Sequence, residues 1–210
     1  MIYDKLMFLE PPRAETTVPP SLLDSYEAKG WFAQFKKNGT SSVIAIAPDK
    51  TLTAWTRHGV PHKAWSFSSG SRNFFQSLPG KGWYVICAEL MHSKVPGIRD
   101  THYIHDILVD DGDWLLGKTY AQRYDSMLRI FWPLADDRMT SNPEEGYFRL
   151  DDHTQMAMNF STAFRQRFDK MLNEPQNEGL VLKNPAGKLA IKDNSSWTIK
   201  CRHPNKNLGF

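Results

Sequence analysis

Five short segments of this chain carry residue types that could do chemistry on phosphate groups. The first is Lys36-Lys37-Asn38-Gly39, where an amine follows the apolar run at residues 31–35. An amine can serve as a nucleophile, cations can bind phosphate oxygens, and carboxylates can hold a hard divalent cation. Each segment alone is weak, but their order along the chain points to one common site. The other four are Thr56-Arg57-His58-Gly59, Glu89-Leu90, Glu178-Gly179-Leu180-Val181-Leu182-Lys183 and Lys200-Cys201-Arg202.

The composition is typical of a globular protein without a membrane span. The chain has 210 residues, of which 40% are hydrophobic and 23% are charged, and no apolar stretch approaches membrane-spanning length. Two cysteines, Cys87 and Cys201, indicate neither a disulfide framework nor a zinc site and favour a reducing compartment. The net charge of +3 permits nucleic-acid binding without requiring it. We expect a cytoplasmic monomer, compatible with a phage or viral gene expressed in a host cell.

The strands that must position the five segments follow from short apolar runs. Asn38-Gly39 is a strong hairpin signal, so we expect the early strands to form an antiparallel meander. In the first predicted strand, Ala33 and Phe35 are expected to face the core. The predicted strands are residues 31–35, 42–47, 51–56, 83–90, 103–109, 179–183, 188–192 and 197–201.

Helical spacing of large apolar residues predicts the helices between these strands. Residues 21–29 should form a short helix ended by Gly30, and residues 74–78 the end of another. A third should run through residues 120–131, and a fourth through residues 160–171. For the fourth, Asp152 or Thr154 is the expected N-cap. The predicted class is α+β, with antiparallel sheets and inserted helices. We expect an N-terminal arm (1–20), one domain (21–202) and a tail (203–210).

The segments, taken together, resemble the motifs of a known family. Residues 31–202 resemble the nucleotidyltransferase domain of ATP-dependent polynucleotide ligases, which act on DNA or RNA; the superfamily also contains mRNA capping enzymes. The first segment is similar to the family's Lys-x-Asp-Gly motif, with Asn38 in place of the aspartate. Residues 56–59 are similar to its Ser/Thr-Arg-x-Gly motif.

The later segments continue the resemblance in the same order. Glu89 falls in a strand that resembles the Glu-Leu motif, and His105 takes the place of a Phe that commonly stacks on the base. Residues 178–183 match Glu-Gly-x-Val-x-Lys in full. Residues 200–202 resemble the closing Lys-x-Lys, with Arg202 in the last place. The fold implied is an ATP-grasp-like adenylation domain. Family members usually continue into an OB-type domain, and we expect no C-terminal OB domain here.

The resemblance implies that Lys36 attacks ATP and forms a covalent lysyl-AMP intermediate. Residue chemistry is compatible with this role, because a free lysine is mostly protonated at neutral pH and nearby cations lower its pKa. Arg57, Lys183 and Lys200 are the cations expected to act with Lys36 in catalysis and to balance charge on the phosphates.

The remaining nucleotide and metal contacts are expected from the same motifs. Gln34 could hydrogen-bond the adenine edge, since it shares a strand face with Lys36. Glu89 and Glu178 are expected to hold Mg²⁺, or Mn²⁺ in its place. The full nucleotide-binding set is Gln34, Lys36, Asn38, Arg57, Glu89, His105, Lys183, Lys200 and Arg202.

Strand alternation decides between neighbouring residues at two places. Lys36 shares a face with Gln34, whereas Lys37 should point toward the core. Glu178 and Lys183 are an odd number of positions apart, so simple alternation would place them on opposite faces. We expect Glu178 to lie at the mouth of its strand, with Gly179 allowing the bend.

The predicted function is ATP-dependent sealing of 5′-phosphate/3′-hydroxyl nicks in double-stranded nucleic acid, with DNA slightly favoured. The alternatives are an RNA ligase, an mRNA capping guanylyltransferase that uses GTP, and a non-catalytic nucleic-acid-binding module. Surface cations are candidate contacts to the phosphate backbone. They are Lys63, Arg72, Lys81, Lys94, Arg99, Arg165, Arg167 and Lys170.

Overall fold

The computed structural model describes residues 1–63, 65–135, 141–191 and 196–203, except for the side chain of Leu172. Four α-helices lie in the described part of the chain: α1 (Leu23–Ala28), α2 (Ser69–Gln76), α3 (Tyr120–Phe131) and α4 (Phe164–Lys170). Short 3₁₀ helices lie at Pro20–Leu22, Trp132–Leu134 and Met171–Asn173. The strands there are β1 (Phe32–Lys37), β2 (Thr40–Ile46), β3 (Leu52–Thr56), β4 (Tyr84–Met91), β5 (Thr101–Asp110), β6 (Asp113–Trp114), β7 (Ser141–Asn142), β8 (Tyr147–Arg149), β9 (Thr154–Ala157), β10 (Asn177–Lys183) and β11 (Thr198–Arg202).

The strands form two sheets, and each sheet covers its own apolar core. One sheet has three strands in the order β1-β10-β11, and the other has eight, with the order β3-β2-β4-β5-β9-β8-β7 and β6 paired to β5. The pairs are antiparallel except for β5 with β9, which is parallel. The predicted α+β class with mainly antiparallel sheets is therefore confirmed.

The hairpin expected at Asn38-Gly39 is wrong. β1 and β2 belong to different sheets, so the chain crosses from one sheet to the other at these two residues. Neither residue has a positive φ. Gly39 is needed for another reason: a Cβ there would lie 2.7 Å from both Glu89 Cγ and the Leu90 carbonyl oxygen. The glycine permits a close approach to β4 rather than a left-handed turn.

The helix predicted at residues 160–171 begins later than expected. Asp152 and Thr154 do not cap it, because residues 154–157 form β9 instead. The helix starts at Phe164, and Ala163 precedes it with a left-handed φ of 61°. Phe160 exchanges backbone hydrogen bonds with Ala33 of β1, each 2.9 Å long. The apolar spacing was nevertheless informative, because the four expected side chains, Phe160, Phe164, Phe168 and Met171, are buried in the core under the three-stranded sheet.

Other predicted elements agree more closely. Residues 21–29 contain α1, and Gly30 follows it with a φ of +71°. α2 covers residues 74–76 of the predicted helix end and begins after Ser68, whose side chain accepts a hydrogen bond from Ser71. The strand predicted at 188–192 does not form over residues 188–191, where Lys188 makes only an isolated bridge to Thr119. Residue 192 and residues 204–210 lie outside the described part.

A buried ion pair joins α3 to β5 of the larger sheet. Arg123 donates to both carboxylate oxygens of Asp106, each at 2.9 Å, and both side chains are almost fully buried. Both cysteines are buried and unbridged, as expected. None of the helices in the described ranges is long and apolar enough to span a membrane.

Candidate active site

A cavity of about 380 Å³ lies between the two sheets. Strands β1, β10 and β11 form one wall, and β4 and β5 form the opposite wall. Of the residues predicted from the sequence, eight line it directly: Gln34, Lys36, Arg57, Glu89, His105, Lys183, Lys200 and Arg202. Glu178 joins them through hydrogen bonds to Lys36 and Arg202. The structure therefore brings nine of the ten predicted residues together.

Lys36 is held at the end of β1 by an ion pair with Glu178. Its Nζ lies 2.5 Å from Glu178 Oε2, and Arg202 donates to the same oxygen. Burial favours the neutral form of Glu178, but the hydrogen bonds from Arg202 and Lys36 outweigh it and lower its pKa. The carboxylate is thus kept charged beside the amine.

A bulge in β10 resolves the odd spacing between Glu178 and Lys183. Lys36 pairs with Gly179, but its neighbour Lys37 pairs with Asn177, so the register skips Glu178. Gly179 has a φ of +135°, which favours glycine. The bend expected at Gly179 is therefore present, and it brings Glu178 to the same side as Lys36.

Glu89 faces the cavity from β4 and has an unusual environment. Burial raises the pKa of its carboxyl to about 7, while Lys36 and Lys94 oppose the shift and Glu178 adds to it. A bound cation would stabilise the charged form of this buried carboxyl. No cluster of three or more His, Cys, Asp or Glu side chains that could hold a metal occurs among the described residues. A magnesium ion needs only one or two carboxylates when substrate phosphates supply the other oxygens.

Two lysines of the three-stranded sheet carry depressed pKa values. Burial lowers the pKa of Lys183 to about 8, and its Nζ donates to the His105 carbonyl at 2.8 Å. The pKa of Lys200 is lowered by burial first and then by Arg202, Lys36 and Arg57. Lys200 therefore lies within electrostatic reach of both Lys36 and Arg57, and the cations form one group.

The residues expected at the adenine ring lie deeper in the cavity. Gln34 donates to the hydroxyl of Tyr120 at 2.9 Å, which fixes the orientation of its amide. Burial, with a further contribution from Lys183, lowers the pKa of His105 to about 3. Its ring is therefore neutral near pH 7, which suits an aromatic stacking surface.

Asn38 is the predicted residue that the structure leaves outside the cavity lining. Its side-chain amide donates to the Pro175 carbonyl at 3.3 Å, and its backbone N–H donates to Gln176 at 2.9 Å. In this arrangement Asn38 connects β1 to the loop before β10. Its contact with the nucleotide stays a prediction.

Lys37 confirms the alternation argument for its neighbour. Its side chain is only 6% exposed and lies 5.1 Å from the ring centre of Tyr103 and 5.7 Å from that of Tyr147. Its Nζ donates to the Glu145 carbonyl at 3.0 Å, and burial lowers its pKa to about 8. Adjacent lysines therefore occupy different environments, and Lys36 is the one paired with the site carboxylate.

Sequence reasoning missed the N-terminal segment at residues 11–15, which lines the cavity. Arg13 donates to the Arg57 carbonyl at 2.6 Å. The available signal was the pair of diprolines, Pro11-Pro12 and Pro19-Pro20, which bracket a stretch containing charged residues. Asp106 and Trp197 also line the cavity and had no assigned role.

Several of the candidate backbone-binding cations are engaged on the protein's own surface. Lys94 donates to the Gly39 carbonyl, Arg165 pairs with Asp169, and Lys170 pairs with Glu144. These three contacts are local, so they do not by themselves define a nucleic-acid surface.

Solved structures with a similar fold are ligases. A mycobacterial DNA ligase D complexed with ATP matches with a TM-score of 0.63 at 15% identity, over 94% of this chain and 61% of that one. The ligase domain of LigD from M. tuberculosis matches with a TM-score of 0.62 at 14% identity, over 93% and 60%. The ATP-dependent DNA ligase of bacteriophage T7, in complex with ATP, matches with a TM-score of 0.61 at 14% identity, over 93% and 69%.

The chain thus spans about three fifths of the two mycobacterial structures. No protein-family model matches it, and no curated protein is similar to it in sequence. At identities this low, the likeness establishes the fold. This chain has the fold of the nucleotidyltransferase domain of ATP-dependent ligases.

Proposed function

We propose that this protein is an ATP-dependent polynucleotide ligase that seals nicks through a lysyl-AMP intermediate on Lys36. The observation that carries the proposal is the environment of that one amine. Lys36 contacts Glu178 in a cavity that also contains Arg57, Lys183 and Lys200. A nucleophile surrounded by cations suits attack on a triphosphate, because the cations bind the phosphates.

In the first step, the Lys36 amine attacks the α-phosphorus of ATP. A nitrogen–phosphorus bond forms, the bond from the α-phosphorus to the bridging oxygen breaks, and pyrophosphate leaves with the electron pair. Lys36 must give up a proton for this attack. That proton passes from the amine to solvent.

Two further transfers complete the reaction. The AMP moves from Lys36 to the 5′-phosphate of the broken strand, and the lysine is regenerated. The 3′-hydroxyl then attacks that phosphate, and AMP leaves as the strand is joined. In both steps the chain's contribution is to position the groups and to neutralise charge.

A divalent cation fits the carboxylates at this site. Glu89 and Glu178 interact electrostatically, and each raises the cost of a second negative charge nearby. We propose that these two residues hold Mg²⁺, or Mn²⁺. When bound, the ion would neutralise charge on the phosphates.

DNA is the favoured substrate, with RNA as the alternative. The similar structures from mycobacteria and bacteriophage T7 are described as DNA ligases, which supports this choice. Strand identity depends on contacts to the 2′-hydroxyl and on duplex shape. We therefore leave the comparison of substrates to experiment.

The test is to offer nicked DNA, nicked RNA and hybrid duplexes side by side, with ATP and Mg²⁺. The proposal predicts sealed DNA from the wild-type protein and none from Lys36→Met. The matched control is Lys37→Met, which removes the adjacent buried amine and should retain sealing. Sealing only of RNA would establish the RNA ligase, and protein labelling by GTP rather than ATP would establish a capping enzyme. Binding of nicked duplex with no sealing under any condition would refute the ligase.

A further inference from the structure

The N-terminal segment at residues 11–18, which we call the strap, lines the cavity with residues 11–15 and is fixed at both ends. At one end, Lys200 of β11 donates its backbone N–H to Thr16 at 2.9 Å and accepts from Val18 at 2.9 Å. Val18 is 7% exposed and belongs to the core under the three-stranded sheet. At the other end, Arg13 donates to the carbonyl of Arg57, just beyond β3 of the larger sheet. The strap therefore joins the two walls of the cavity.

The strap places a further cation at the site. Residues 11–15 line the cavity, and Arg13 is the cation among them. The positive charges of Lys36 and Arg57 both contribute to lowering the pKa of Lys200. Arg13 donates a hydrogen bond to the backbone carbonyl of Arg57. Arg13 therefore lines the same cavity as Lys36, Lys200 and Arg57.

We infer that Arg13 binds the terminal phosphates of the nucleoside triphosphate. This inference rests on the proposed function, because it requires Lys36 to be the attacking amine. In an in-line transfer the attacking and leaving groups lie on opposite sides of the phosphorus. The leaving pyrophosphate would therefore point away from Lys36. Arg57 and Arg13 line the same cavity and supply cations for that group.

Two contacts of Arg13 are compatible with this role. Its guanidinium lies 3.2 Å from Glu10 Oε1, and the two side chains are 30% and 47% exposed. Ion pairs this exposed contribute little, so a multiply charged phosphate tail can displace Glu10. Both contacts use the Nη2 nitrogen of Arg13, and the hydrogen bond to the Arg57 carbonyl keeps Arg13 at the cavity. Glu15 also lines the cavity and attracts Lys200, so the strap carries charges of both signs.

The inference predicts different changes in affinity for two ligands that share the same base and α-phosphate. AMP lacks the terminal phosphates, whereas an ATP analogue with a methylene group between the α- and β-phosphorus retains them and cannot be cleaved there. Calorimetric titration with Mg²⁺ would measure both affinities without any chemistry. We expect Arg13→Gln to weaken binding of the analogue about tenfold, as for loss of a charge-assisted hydrogen bond, and to leave AMP binding within about twofold.

Three variants serve as controls. Arg13→Lys should recover part of the affinity, because lysine restores the positive charge but not the paired N–H donors of the guanidinium group. Glu10→Gln should strengthen binding of the analogue slightly, since it removes the competing carboxylate. Arg165→Gln should change neither affinity, because Arg165 pairs with Asp169 on the surface.

Each outcome decides the inference. Unchanged binding of the analogue to Arg13→Gln would overturn it and leave the proposed function standing. A parallel loss for AMP and the analogue would also overturn it, because a structural role for the strap would affect both ligands. Wild-type protein that bound neither nucleotide would overturn the proposed function as well.

Discussion

At the scale of single residues, two adjacent lysines show how a strand assigns chemistry. Both line the cavity, but Lys36 pairs with the Glu178 carboxylate, whereas Lys37 is buried beside aromatic rings. Alternation along one strand predicted this difference, because it depends only on local geometry. The depressed pKa of Lys37 was not predictable from the sequence. It results from burial against Tyr103 and Tyr147, which belong to distant strands.

We predict that Asn38→Asp retains at least half of the wild-type rate of protein labelling by ATP. The side-chain amide of Asn38 makes one long hydrogen bond to Pro175, so its loss should cost less than about 1 kcal/mol. The measurement is the transfer of label from α-labelled ATP. A loss of most of the labelling in a variant that remains folded would contradict our placement of this motif.

We predict that Glu89→Gln makes the protein more stable but inactive. The folded-state pKa of Glu89 is raised to about 7, so between about pH 4 and pH 7 the folded state holds a proton that the unfolded state has lost. The stability of the wild-type protein should therefore fall as pH rises through that window. The variant, which has no charge to bury, should be more stable by about 3 kcal/mol at pH 8.

Urea unfolding in EDTA over this pH range would measure the difference. The two proteins should have similar free energies of unfolding near pH 4 and diverge above it. If the free energies of unfolding of the two proteins changed with pH in parallel, burial of the Glu89 carboxylate would not destabilise the folded protein. Added Mg²⁺ should stabilise the wild-type protein at pH 8 and have little effect on the variant.

At the scale of elements, the bulge in β10 sets the site more than any single strand does. Because the register with β1 skips Glu178, the side chains of Glu178 and Lys183 can both lie at the same cavity. The spacing in the sequence required some such irregularity, and Gly179 indicated its place. In contrast, the Asn38-Gly39 hairpin was wrong, since sheet membership depends on partners far along the chain. The short local pattern contained no information about the approach of Gly39 to β4.

We predict that Gly179→Ala destabilises the protein by about 3 kcal/mol and abolishes labelling by ATP. A Cβ at this position would lie 2.0 Å from the Cys201 carbonyl oxygen, and the φ of +135° disfavours any side chain. Urea unfolding measures the stability. Gly97→Ala is the matched control: its φ is +81°, but no atom lies within 4 Å of the added carbon, so it should cost only about 1 kcal/mol. Equal losses in the two variants would argue against a steric role for Gly179.

At the scale of the whole molecule, the cavity depends on two sheets with separate cores. Residues 34–37 and the β10 and β11 side chains come from one sheet, and Glu89 and His105 come from the other. The sequence predicted eight of the residues that line the cavity, because each motif lies at the end or on one face of a strand. It did not predict that the strap lines the cavity, since residues 11–18 carry no motif and pair with a strand near the other end of the chain.

A ligand that bridges both walls should stabilise the whole fold. We predict that ATP at about a hundred times its Kd adds about 2.7 kcal/mol and raises the Tm by roughly 5–10 °C. Thermal unfolding with ATP and with GTP at equal concentration would measure this. GTP should give a much smaller rise, because the site is proposed to read adenine through Gln34. A larger rise with GTP would favour the capping enzyme.

The most direct test of the central claim is to locate the nucleotide on the protein. Wild-type protein incubated with ATP and Mg²⁺, without nucleic acid, should be digested and its peptides examined by mass spectrometry. We predict an AMP adduct on Lys36, none on Lys37, and loss of the adduct when pyrophosphate is added. An adduct on Lys37 or elsewhere, or protein that carries no AMP at all, would contradict the account.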